Sequence, residues 1–110
     1  MGLKELEFKN DLDMLFQAIL ELENIDECYK FFEDLCTVQE LKSLSQRLHV
    51  AKLLSEHNVY SDIVKQTGAS TATISRVNRS LNYGCDGYDI VFNRLKDDKS
   101  TSEDSKNAWW

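Results

Sequence analysis

Apolar positions recur along this chain at steps of three and four, the spacing that puts side chains on one face of a helix. In the first third, Phe8, Leu12, Leu15, Ile19 and Leu22 form such a stripe, widened by Phe16 and Leu20. The spacing predicts a helix from about Leu6 to Glu23, after a loose start at residues 1–5. A stripe this broad calls for more than one partner, and a second subunit is one natural cover. Asn24 is placed to cap a second helix over Ile25 to Leu35, with Cys28, Phe31, Phe32 and Leu35 turned inward and Asp26, Glu27, Glu33 and Asp34 outward. Thr37-Val38-Gln39-Glu40 has the form of a capping box and opens a third helix to about His57. Leu41, Leu44, Leu48, Ala51 and Leu54 make the apolar face of that helix, and Lys42, Arg47 and Lys52 its cationic one.

The stretch from Asn58 to Leu81 reads as a helix, a tight turn and a second helix. Ile63 and Val64 give the first its apolar side, and Gly68 breaks it with a residue suited to left-handed backbone. Ser70 can cap the next helix, in which Ile74, Val77 and Leu81 share a face. Thr71, Ala72, Ser75, Arg76 and Arg79 lie opposite, and no Asp or Glu occurs from Thr71 to Leu81. Small and hydroxyl residues at a helix start, followed by guanidinium groups, suit a helix entering the major groove by its N-terminal end. Asn82-Tyr83-Gly84 ends this helix. A last one is expected near Gly87 to Lys96 after Asp86, with Tyr88, Val91, Phe92 and Leu95 apolar, followed by a polar, disordered tail over 97–110 that ends in Trp109 and Trp110.

Composition supports an all-α fold of about six helices. There is no proline and only four glycines in 110 residues, a length that suits one domain. The net charge of −6 would argue against a nucleic-acid partner, but its distribution reverses that. Residues 1–37 carry three Lys/Arg against ten Asp/Glu, residues 38–82 six against three, and residues 83–110 four against six. A basic island between acidic flanks points to an anionic partner at one face. Three cysteines without CxxC spacing give no disulfide framework or zinc site, and a reducing cytoplasm is their natural setting. No signal peptide or long apolar run suggests secretion or membrane spanning.

The candidate DNA-binding residues are thus Thr71, Ala72, Thr73, Ser75, Arg76 and Arg79, with Lys65 and Lys52 as phosphate contacts. Catalysis is not expected. His49 and His57, the two histidines, stand about 80° apart around a helix, with no nucleophile at a recognisable spacing and no Gly-rich phosphate loop. The alternative to a DNA-binding regulator is a helical protein-interaction module that uses its acidic flanks.

Residues 35–81 resemble the Trp repressor family, and the whole chain is similar to its shorter Trp-repressor-like (YerC/YecD) branch. The resemblance rests on Leu35-Cys36-Thr37 leading into Glu40-Leu41 and Ser43-Leu44, on Arg47, and on Gly68-Ala69 with Ala72-Thr73-Ile74, Arg76 and Ser80-Leu81. It implies an intertwined all-helical homodimer, a cytoplasmic repressor that sets two recognition helices in successive major grooves of a palindromic operator. It also implies an amino-acid-type corepressor held by Thr37, Arg47, Arg76 and Ser80, where Arg76 would have to serve either DNA or ligand. The chain departs from the pattern at Val77, where the tryptophan-binding member has glycine. A branched side chain there fills space an indole needs, so the expectation is a smaller ligand or none.

Overall fold

Six α-helices follow a 3-10 turn at Leu3–Glu5: α1 Lys9–Leu20, α2 Ile25–Leu35, α3 Val38–Ser55, α4 Tyr60–Thr67, α5 Thr71–Tyr83 and α6 Gly87–Ser100. The computed structural model describes residues 2–100, and among them there is no strand. No helix of the described residues is long and apolar enough to cross a membrane. The chain divides into two compact units, Met1–Val38 and Gln39–Trp110.

In the first unit α1 is shorter at both ends than its stripe suggests. Residues 3–6 close a tighter turn, with the Glu5 N–H donating to the Gly2 carbonyl and Leu6 to Leu3. At the far end the N–H groups of Glu21 and Leu22 donate three residues back, to Ala18 and Ile19, a tightening common in a last helical turn. Helix α2 starts where its cap predicts: Asn24 Oδ1 accepts from the Glu27 N–H at 2.9 Å, and Glu27 Oε1 accepts from the Glu23 N–H at 2.9 Å. Phe31 and Phe32 meet edge to face. No described side chain of this unit is fully buried. Leu35, expected inside, is among the exposed ones.

The second unit has a core. Val50, Ala51 and Leu53 of α3, Ile63 of α4, Ala69 in the turn, Ile74 and Val77 of α5 and Phe92 of α6 form one buried cluster, bordered by Leu48, Leu54, Tyr60, Tyr88 and Leu95. Helix α3 is enclosed on every side near its C-terminal end, because four successive residues, Val50 to Leu53, are buried. A one-faced stripe does not describe it there, and toward the other end Leu44, on the expected apolar face, is exposed. In α4, Ile63 alone enters the core, with Tyr60 at its edge, while Val64, expected on the apolar side, is exposed; in α6 Phe92 is buried while Val91 is exposed.

Helix α6 runs on through Ser100, so the first four residues of the expected tail are helical. The rest of that tail, with Trp109 and Trp110, lies outside the described residues.

Candidate nucleic-acid interface

The α4–turn–α5 segment is built by local chemistry. Helix α4 ends on Gly68, whose φ of 71° is left-handed backbone that costs glycine little, and its N–H donates to the Val64 carbonyl at 2.8 Å. Thr67 tightens the turn through its hydroxyl, which donates to the Ile63 carbonyl at 2.7 Å and accepts from the Ala69 N–H at 3.1 Å. Ala69 is thereby held in the core. Ser70 caps α5 as its sequence predicts, its Oγ accepting from the Thr73 N–H at 3.1 Å.

With Ile63 and Ile74 at 0% exposure and Val77 at 2%, the inner faces of α4 and α5 are fixed against each other and α3. The outer face of α5 then presents Thr71, Ala72, Ser75, Arg76, Arg79 and Ser80, all exposed. Thr73 is half-buried: its hydroxyl accepts from Ser70 Oγ, and it belongs to the cap of α5 more than to its reading face. Lys65, on α4, is exposed. The end of α5 is set by Gly84, where any Cβ would fall 2.3 Å from the Ser80 carbonyl oxygen.

One expected residue is elsewhere. Lys52 is 4% exposed, its ammonium 3.5 Å from Glu56 Oε2 and 5.6 Å from the centroid of the Phe92 ring. The cationic face predicted for α3 is in this part an inner face, because α6 lays Phe92 over it, so Lys52 cannot be a phosphate contact. Its aliphatic stem packs as a hydrophobic side chain would.

The expected effector set is divided. Arg47 is half-buried on α3, and Arg76 and Ser80 are exposed one turn apart on α5, while Thr37 belongs to the first unit. Val77 lies in the core, where it occupies volume behind Arg76.

Two braces have no counterpart in the motif. Gln46 Nε2 donates across from α3 to the Thr67 carbonyl at 3.1 Å, and Asn58 Nδ2 donates to the Leu53 carbonyl at 2.9 Å. The first gives a partner to a carbonyl at the end of α4, and the second adds a side-chain donor to a Leu53 carbonyl that already accepts from the Glu56 and Asn58 N–H groups. A lone amide on the inner side of a helix is a weak sequence signal, visible once the partner is known.

A short helix, a left-handed glycine, and a capped second helix with its inner face buried and its outer face polar define a helix-turn-helix protein. The family model described as Trp repressor protein matches residues 10–96. The uncharacterised Bacillus subtilis protein YerC is 54% identical over 92 residues, covering 84% of this chain and 88% of YerC. A crystal structure of a candidate Trp repressor from Staphylococcus aureus matches with a TM-score of 0.77 at 51% identity, over 84% of this chain and 96% of that one. That of a TrpR-like protein from Eubacterium eligens also gives 0.77, at 61% identity over 84% and 93%. This chain belongs to the Trp repressor family.

Proposed function

We propose that the protein is a sequence-specific DNA-binding transcriptional regulator, acting as a repressor in the form of a homodimer on a palindromic operator. The observation that carries this reading is the outer face of α5. It is free of carboxylates over 71–81, led by a capped N-terminus, and exposes both Arg76 and Arg79. Arg79 is the best-placed candidate for a bidentate contact to guanine O6 and N7. Thr71 and Ala72, in the first turn, suit a thymine methyl or a phosphate, and Ser75 and Lys65 suit the backbone. The dimer reading is supported by the first unit, none of whose described large apolar side chains is fully buried within one chain. Two copies would set their α5 helices about 34 Å apart along the duplex.

An effector, if the protein uses one, is assigned to Arg47, Arg76, Ser80 and Thr37. Guanidinium and hydroxyl groups can hold a carboxylate. Val77 favours a ligand smaller than tryptophan, and Arg76 would be drawn between that ligand and the duplex.

The test is selection of bound fragments from a random duplex pool, followed by mobility shifts at two salt concentrations. Affinity should fall steeply with salt. Replacing Arg79 by Ala should cost about 1–3 kcal/mol on the selected operator and relax preference at one base pair. Equal weakening on selected and random duplex would show Arg79 meeting phosphate only. A complete lack of shift would turn the assignment to a protein-interaction module.

A further inference from the structure

Helix α3 and the C-terminal end of α4 bound an open cleft of about 440 Å³ to which α5 contributes no residue. Lys42, Ser45, Gln46 and His49 line it from α3, at the spacing of one helix face, and Gln66 and Thr67 from α4. A helix face opposite a neighbouring helix end is ordinarily apolar. Here Lys42, Ser45, Gln46 and His49 share it with Leu48, so polar groups rim a cleft whose walls are largely apolar, and among the described residues no carboxylate lines it.

The backbone carbonyls at this place are already engaged. The Thr67 carbonyl accepts from Gln46 Nε2 at 3.1 Å and the Lys42 carbonyl from Ser45 Oγ at 3.1 Å, while Thr67 Oγ1 is used on both sides in the turn. Among the described residues, the Lys42 ammonium, the His49 ring and the Gln66 carboxamide have no intramolecular partner. An ammonium offers three donors and no acceptor, and an imidazole donates from at least one nitrogen in either protonation state. A concave space with donors left over and no acid nearby attracts an anion.

We propose that this cleft binds an oxyanion of the phosphate class, held by Lys42 and His49 and completed by Gln66. The phosphate comes either from the backbone of a bound duplex or from a soluble phosphorylated molecule. Thr67, one wall of the site, also fixes the turn into α5, so an occupant here bears on how the reading helix is presented. The duplex source rests on the regulator reading above; the soluble source does not.

Inorganic phosphate titrated into the isotope-labelled full chain, against chloride at matched ionic strength, reads the site directly. Amide shifts at residues 42–49 and 66–67 should saturate. Lys42→Gln, at an exposed position, should weaken binding about three- to five-fold, in line with one exposed ion pair. Gln66→Glu, which brings a carboxylate to the rim, should abolish it. In a second arm, the salt dependence of binding to random duplex separates the sources. Lys42→Gln lowers the logarithmic slope by about one if the cleft holds a backbone phosphate, and leaves it unchanged if the ligand is soluble. A titration without saturation, together with an unchanged slope, overturns the proposal. Should the protein bind no duplex at all, the regulator reading fails while the phosphate titration still decides this site.

Discussion

The two units of this chain handle their apolar side chains in opposite ways. The second gathers eight of them into a core, with Val50, Ile63 and Ile74 fully enclosed. The first encloses none: Leu20 is 81% exposed, Ile25 and Tyr29 each 71%, with Phe8, Met14 and Phe16 also open. Burial of apolar area is the main favourable term in folding, at about 25 cal/mol per Å². The second unit therefore has its own source of stability, whereas the first has two well-formed helices and little to hold them. Charge divides the same way, since residues 1–37 are strongly acidic and residues 38–82 basic. The contrast is between a unit with a core of its own and a helical pair whose large apolar side chains stay open; it is the second of these that the proposed dimer would complete. A second copy is the economical completion, because an apolar patch shared by two identical chains is covered on both at once.

The largest effect that could break this contrast is a charge on the open face. Leu20→Asp in an isolated chain would change stability by no more than about 0.5 kcal/mol, as surface substitutions do. In the proposed dimer it buries an uncompensated carboxylate in each copy, at about 3–5 kcal/mol apiece. Sedimentation equilibrium should show the wild type at twice 12.7 kDa and the variant at one chain mass. Equal masses for the two proteins would leave the first unit to some other cover. Next in size is Ile74→Ala, which removes a fully enclosed side chain from the second unit. Urea unfolding should register a loss of about 2–5 kcal/mol. A smaller step is Ser70→Ala. It deletes the accepted hydrogen bond from the Thr73 N–H and should cost about 1 kcal/mol, with the loss of protection from hydrogen exchange confined to the first turn of α5.

How far the sequence alone leads differs between the units for the same reason. Local devices were readable wherever the partner lies within a few residues. Asn24, Gly68, Ser70 and Gly84 each act on backbone nearby, and the ends they set for α2, α4 and α5 match expectation. The inner residues Ile63, Ile74 and Val77 were readable because each helix of the motif has one buried face. Helix α3 breaks that premise. The stretch Val50 to Leu53 near its C-terminal end is buried on four successive residues, so periodicity could not separate Val50 and Leu53 from their neighbours, nor show that Lys52 faces in. The cleft around Lys42 and His49 was likewise invisible, since it exists only where α4 ends against α3. In the first unit the breadth of the stripe was legible and its cover was not, because a pattern states how much must be buried and never against what.

The change Lys52→Met gives the smallest expected effect, and Lys52 the sharpest distinction between an inner and an outer cation. Its ammonium faces the Phe92 ring and Glu56, and a cation over an aromatic ring contributes about 0.5–2 kcal/mol when partly desolvated. Against that stands the cost of taking a charge out of water, which often cancels the gain. Lys52→Met keeps the length of the stem and drops the charge, so its stability should stay within about 1 kcal/mol of wild type. Lys52→Ala leaves a hole beneath α6 and should lose roughly 2 kcal/mol or more. Neither change should alter the salt dependence of duplex binding, whereas Lys65→Ala, on the open face of α4, should lower that slope by about one. If Lys52→Met lowered it as much, the ammonium would have to reach the duplex, and α6 could not be packed over it as Phe92 is.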